Sequence, residues 1–212
     1  MKATSIAPKP PVTHSSSRAA PDRRSAPPAP HPLNGIDVPA LQATIAAIKA
    51  NPAKAITKWK IHSRWVGGTR SDHHVDGCDL GGTYIKRPFV IGVDEPNEAI
   101  AGGTDKFANP QEHMLGALNA CMMVGYAAIA AQMGIKLTKL EIDTTGNVDL
   151  RGALGISNQI APGYTDLFQT IRIAGNASAE QFARLHEAVR ATSPNYSTLT
   201  SAVPVHSRMV VE

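Results

Sequence analysis

One stretch constrains this chain more than any other: Met114 to Met133, in which only Asn119 and Gln132 carry strongly polar side chains. At about 1.5 Å per residue such a helix spans roughly 30 Å, enough to cross a bilayer. A helix that is apolar all round equally suits the centre of a soluble core. Asn119 in its interior, its many alanines and glycines, and the amphipathic segments on both sides point to a core helix and away from a membrane span. Gly134 stands where a left-handed residue would end it.

The flanking patterns define the fold class. Asp37 and Pro39 read as the start of a helix bearing Leu41, Ile45 and Ile48, ended by Asn51-Pro52. From Ala55 to Trp65 the period becomes two, with Trp59, Ile61 and Trp65 alternating with Lys58, Lys60, His62 and Arg64. Further strands are expected over 70–75 and 84–93, joined by a turn at Asp76-Gly77-Cys78-Asp79, which makes a three-stranded meander. Past the core helix come a strand around Leu140 and Ile142, a long loop over 146–164, and a strand over 167–173. Ser178 and Gln181 form a capping box for a helix with Phe182, Leu185 and Val189 on one face, ended by Pro194. A last strand alternates Val203, Val205, Met209 and Val211 with His206 and Arg208. The order α-βββ-α-ββ-α-β is that of an α+β domain with largely antiparallel sheet.

The net charge of +4 suggests nucleic acid until it is located. Residues 1–32 hold Lys2, Lys9, Arg18, Arg23 and Arg24 against Asp22 alone, so they carry the whole excess and leave a neutral body. With 5% aromatic residues that body has neither a basic stripe nor a stacking platform, and no nucleic-acid partner is expected. The same 32 residues hold eight of the sixteen prolines and a Ser15-Ser16-Ser17 run, so a disordered basic tail is expected over 1–34, then a helix over 35–54, then the main domain over 55–212. The tail has no apolar run of the secretory kind. Two cysteines, Cys78 and Cys121, are too few for a disulfide framework, and a reducing cytoplasm is the expected setting.

Few residues could carry chemistry. Cys121 lies midway along the core helix, either as a small core hydrophobe or as a reactive thiol. A thiolate needs a cation or polar donor, and Met114, Ala117 and Leu118 on its helix face offer none, so that group must come from another element or subunit. Cys78, in its expected turn, reads as an incidental surface thiol. His73 and His74 stand beside Asp72, but neighbours on a strand point to opposite faces and cannot converge on one ion. With no His pair at i, i+4 and no Cys-x-x-Cys, neither a metal nor a cofactor is expected.

Gly102-Gly103-Thr104-Asp105 followed by Asn109-Pro110 and a helix with cysteine eleven residues after the proline resembles the signature of the OsmC/Ohr family (osmotically induced protein C and organic hydroperoxide resistance). Arg64-Trp65-Val66-Gly67-Gly68, Val93-Asp94-Glu95-Pro96, Asp149-Leu150-Arg151-Gly152 and Ser193-Pro194-Asn195-Tyr196 match in order along 55–212. The resemblance implies antiparallel sheets around long central helices in an intertwined homodimer, with active sites at the subunit interface. It implies that Cys121 attacks an organic hydroperoxide and becomes a sulfenic acid. It also implies that an arginine after the first strand, Arg70 before Arg64, stabilises the thiolate, held by a carboxylate near the helix start, here Glu112.

Three features depart from that pattern. The family's resolving cysteine is replaced by Ser193, before Pro194, so no intramolecular disulfide can form and an external thiol reductant is needed. Gln111 stands where the hydroperoxide-resistance branch has glutamate, with Glu112 one place later, about 180° from Cys121 if regular helix has already begun. Residues 1–54 lie outside the common core. The expectation is a one-cysteine hydroperoxide reductase. The alternatives are a binding protein for an apolar ligand and a structural dimer with an unreactive Cys121.

Overall fold

The computed structural model describes residues 32–212, so residues 1–31 of the expected tail lie outside the described residues. Asn34 is already tied to the body. Its side-chain amide donates to the Ile135 carbonyl at 2.8 Å, and its oxygen accepts from the Leu137 N–H at 2.9 Å. Helix α1 (Val38–Ala50) then starts where the sequence places it, with the Asp37 carboxylate accepting from the Ala40 N–H and Pro39 in the first turn.

The strand expected over 55–65 is two pieces, β1 (Thr57–Trp59) and β2 (His62–Gly67). They pair end to end along one edge of β3 (Arg70–Leu80), while β4 (Thr83–Val93) takes the other edge, all antiparallel. The meander is therefore present, but its second turn is not where Asp76-Gly77 suggests. Strand β3 runs straight through residues 76–79, and the glycine there marks a bulge between Val75 and Gly77. A Cβ at Gly77 would sit 2.2 Å from the Ile85 carbonyl oxygen, so the position excludes other residues. The reversal is made by Gly81 and Gly82, both at positive φ. Cys78 is consequently not a surface thiol: it is 4% exposed within β3, opposite Trp59 and Ile85.

Helix α2 (Pro110–Gln132) carries a complete capping box between Asn109 and Glu112, with Pro110 in its first turn. Gly134, at φ +73°, follows its C-cap as expected. It is long and apolar enough to cross a membrane by length and composition alone. In this fold one side of it is packed by β5 (Leu137–Gly146) and α4 (Ala179–Thr192). Strand β5 pairs antiparallel with β6 (Leu167–Gly175), and a single turn, α3 (Leu150–Ala153), sits in the loop between them. Ser178 and Gln181 form the capping box of α4.

Pro194 does not simply end that helix. It opens a further one, α5 (Pro194–Leu199), with Ser193 as N-cap. The strand expected over 203–211 is not formed. Residues 201–212 take no regular structure and are exposed, Val205 at 88% and Met209 at 86%. Alternation supplies one apolar face, but a strand also needs a hydrogen-bonding edge, and among the described residues no strand pairs with that segment.

The core lies between α2, α4 and β5: Leu118, Met122, Tyr126, Ala130, Ile135, Ile142, Leu185 and Val189 form one buried cluster. The Tyr126 hydroxyl meets His186 Nδ1, and burial pushes the phenol up to about 12. The architecture is the expected α+β, with mixed helix and antiparallel sheet. Its two sheets are covered unequally. The four-stranded sheet leaves Trp59, Trp65, Tyr84 and Phe89 exposed, and α2 leaves Val124 uncovered at 67%.

Leu185 has no exposed surface, so Leu185→Ala is expected to lower the unfolding free energy by roughly 2–5 kcal/mol in urea titrations. Leu154→Ala, at a site 58% exposed, is expected to change it by about 0.5 kcal/mol or less.

Candidate functional site

Cys121 sits on α2, partly exposed, on the side that meets the junction of α4 and α5. That junction is Ser193, which caps both helices. Its N–H donates to the Val189 carbonyl at 2.9 Å, and its Oγ accepts from the Tyr196 N–H at 3.4 Å. The Ser193 hydroxyl in turn donates to Cys121 Sγ at 3.3 Å. Ser193 is 4% exposed, one of two buried polar residues among those described. Asn195 closes the same corner by donating to the Ala117 carbonyl at 2.9 Å, one helical turn before Cys121. Arg190 in turn fixes Tyr196: its Nε and an Nη donate to the phenol oxygen at 3.1 and 3.0 Å. These bonds and the nearby Glu187 raise the Arg190 pKa.

The polar donor that α2 could not provide from its own face thus comes from α5's cap. Pro194 was the signal for it. A serine directly before a proline is an N-cap followed by N1 as readily as it is a helix end.

Arg70 lies elsewhere. It begins β3, with its guanidinium 5.3 Å above the Phe107 ring and 4.0 Å from Asp72 Oδ1. Its Nε is buried with no partner. Among the described residues no hydrogen bond or ion pair joins it to Cys121. Arg64 is exposed in β2, across from Asp72.

The loop that presents Arg70 is held by a residue the sequence reading noted only as part of a motif. Asp94 has no exposed surface. Its carboxylate accepts from the Thr69 hydroxyl at 2.6 Å, the Glu95 N–H at 2.9 Å, the Thr104 N–H at 3.1 Å and the Thr104 hydroxyl. The Thr104 and Thr69 hydrogen bonds hold this carboxyl well below the usual range. Thr69 is the residue before Arg70, so Asp94 ties the β2–β3 turn to the loop that leads into α2.

Glu112 is not directed at the thiol. Regular helix begins at Pro110, and Glu112 Oε2 accepts from the Asn109 N–H at 2.8 Å in the capping box, half a turn round the helix from Cys121. The carboxylate serves the helix start, and with regular helix already formed the half-turn offset follows. His73 is held by serines on both ring nitrogens, Ser63 at 2.7 Å and Ser71 at 2.9 Å. Among the described residues no three His, Cys, Asp or Glu side chains converge as a metal site would require.

A cavity of about 680 Å³ opens at the start of α2. Met114 and Leu118, two turns and one turn before Cys121 on its own face, form one wall, and Tyr196 and Leu199 of α5 form another. Gln169 and Asp166 supply its polar lining.

A long capped core helix bearing one partly exposed cysteine, backed by an antiparallel pair and preceded by a meander, defines a thiol-bearing α+β class. Residues 103–208 match the OsmC family, described as OsmC-like protein. The chain belongs to that family. Among solved structures, an OsmC-like protein from Mycoplasma pneumoniae is 18% identical, with a TM-score of 0.52 over 68% of this chain and 89% of that one. The organic hydroperoxide resistance protein OhrB of Bacillus subtilis is 19% identical, with a TM-score of 0.40 over 68% of this chain and 91% of that one. At such identities the first speaks to the fold alone. No curated protein matches the chain.

The Asp94 latch has a definite pH signature. A carboxyl depressed in the folded state contributes stability that is present above about pH 4 and is lost as pH falls toward the folded value. Asp94→Asn is expected to lower the urea midpoint at pH 7, with the gap to the parent narrowing at pH 3. An equal gap at both pH values would mean that ionisation of Asp94 plays no part.

Proposed function

We propose that Cys121 reduces organic hydroperoxides, with an external thiol restoring it, in a cytoplasmic homodimer. The observation that carries the reading is the Cys121 sulfur: partly exposed on the family's signature helix and hydrogen-bonded by a buried hydroxyl. The thiolate is the nucleophile, and a hydroxyl is a donor that can hydrogen-bond it. Both cysteines are free, which fits a reducing compartment. The resemblance to proteins of hydroperoxide resistance supplies the substrate class.

Pairing of two chains answers what the single chain leaves open. The meander exposes Trp59, Trp65, Tyr84 and Phe89, and α2 exposes Val124, apolar side chains that a second chain would cover. Arg70, with its unpartnered Nε and no link to the thiol of its own chain, would then meet the Cys121 of the second chain. A second reading, retention of an apolar ligand without turnover, is favoured by the cavity beside Met114 and Leu118.

The test is anaerobic stopped-flow reaction of the reduced protein with an organic hydroperoxide and, separately, with hydrogen peroxide. Oxidation confined to Cys121, faster with the organic peroxide and slowed in Arg70→Ala, is the expected outcome. Oxidation no faster than that of a small free thiol would sink the reductase reading, leaving ligand retention if an apolar probe binds and a structural dimer if none does. Light scattering is expected to give twice the 22.4 kDa of one chain, and Trp65→Glu to shift the mass toward one chain. A monomeric parent protein would remove the second-chain role of Arg70.

A further inference from the structure

The Ser193 contact goes further than support for a nucleophile. We propose that Ser193 is a catalytic residue of the thiol chemistry, donating its hydroxyl to the sulfur as thiolate and to the sulfur-bound oxygen after oxidation. This inference rests on the hydroperoxide reading for the second half of that statement and on geometry alone for the first.

Capping by itself does not require a hydroxyl here. Ser, Thr, Asp and Asn all serve as N-caps by accepting a hydrogen bond, and the Oγ of Ser193 accepts one from Tyr196. What distinguishes a hydroxyl from an aspartate cap is the proton left over once the cap is made. At 4% exposure that proton cannot be given to bulk water, and the acceptor it meets is Cys121 Sγ at 3.3 Å. Three hydrogen bonds hold the geometry: the Ser193 N–H on the Val189 carbonyl, the Asn195 side chain on the Ala117 carbonyl, and the Arg190 guanidinium on the Tyr196 phenol. The cavity shares Leu118, one turn before Cys121, and Tyr196, the residue Ser193 caps, although neither Cys121 nor Ser193 lines it.

The step balances without a proton leaving Ser193. The Cys121 thiolate attacks the terminal oxygen of the hydroperoxide; the S–O bond forms and the O–O bond breaks. Sulfur gives up two electrons and becomes a sulfenic acid, and the alkoxide leaves and takes a proton from solvent as the alcohol. An external low-molecular-weight thiol then displaces water to form a mixed disulfide, and a second equivalent releases Cys121 as the thiol. Ser193 donates throughout and, lacking a thiol, cannot resolve the sulfenic acid itself.

The test uses the full reduced chain and a probe that needs no peroxide, iodoacetamide alkylation of Cys121 across pH 5–9, read by peptide mass with Cys121→Ser as control. In Ser193→Ala the rate near neutral pH is expected to fall roughly 10- to 100-fold, the span of one hydrogen bond to a charged group. The deficit should close at alkaline pH, and Ser193→Thr should restore the parent profile. Should Ser193→Ala fail to fold, Ser193→Gly keeps a tolerated cap without the hydroxyl and carries the same expectation. In Ser193→Cys, diamide should produce an intramolecular disulfide between positions 121 and 193. A folded hydroxyl-free variant with the parent profile, or a folded Ser193→Cys protein that forms no such bond, overturns the proposal. Organic hydroperoxide forms a separate arm. If it fails to oxidise the parent while the alkylation shift and the diamide disulfide appear, the reductase reading and the sulfenate half fall, and Ser193 stands as the residue that activates the thiol.

Discussion

A helix with apolar side chains around its whole circumference must be enclosed on every side, and this chain encloses α2 on one. Strand β5 and helices α4 and α5 pack its Leu118, Met122 and Tyr126 face, while Val124 looks outward. Much of the rest follows from that demand. The helix needs a secure start, and Asn109, Pro110 and Glu112 give it one. It needs a sharp stop so that β5 can fold back along it, and Gly134 provides that. The four-stranded sheet stands apart from this core with its own aromatic residues uncovered, an arrangement that suits a surface awaiting a second chain.

What the sequence displayed well was whatever depends on local pattern. The Ser178-Gln181 capping box, the glycine stop, the alternation around Leu140 and Ile142 and the apolar face of α4 are all written in consecutive residues, and these elements formed within a few residues of their expected places. What failed depended on neighbours. Asp76-Gly77 has the composition of a turn, yet in a two-stranded ladder the same pair makes a bulge, and only the register against β4 decides between them. The alternation over 203–211 is sound as a pattern and still makes no strand, because ladder partners cannot be read from one segment.

The site divides in the same way. Cys121 could be picked out from helix spacing together with the family resemblance, and the need for an outside donor followed from the apolar residues on its own face. That the donor is Ser193 could not be read, because it depends on α4 and α5 meeting α2 at one corner. Glu112 was a natural choice by charge, but a carboxylate at the third position of a helix with asparagine at its cap is already committed to the backbone. Asp94 carries no signal of its own: a lone aspartate after a strand is common, and its burial under Thr69 and Thr104 is a property of two loops meeting.

The burial of Cys78 has a consequence for how the protein meets oxidants. Reactive sulfurs in the same small protein compete, cross-link and blur the stoichiometry of any signal they carry. Enclosing one of the two cysteines within a β-ladder leaves each chain with a single thiol open to its surroundings. Any reagent that attacks thiols is then counted in units of one per chain, at one position on the helix.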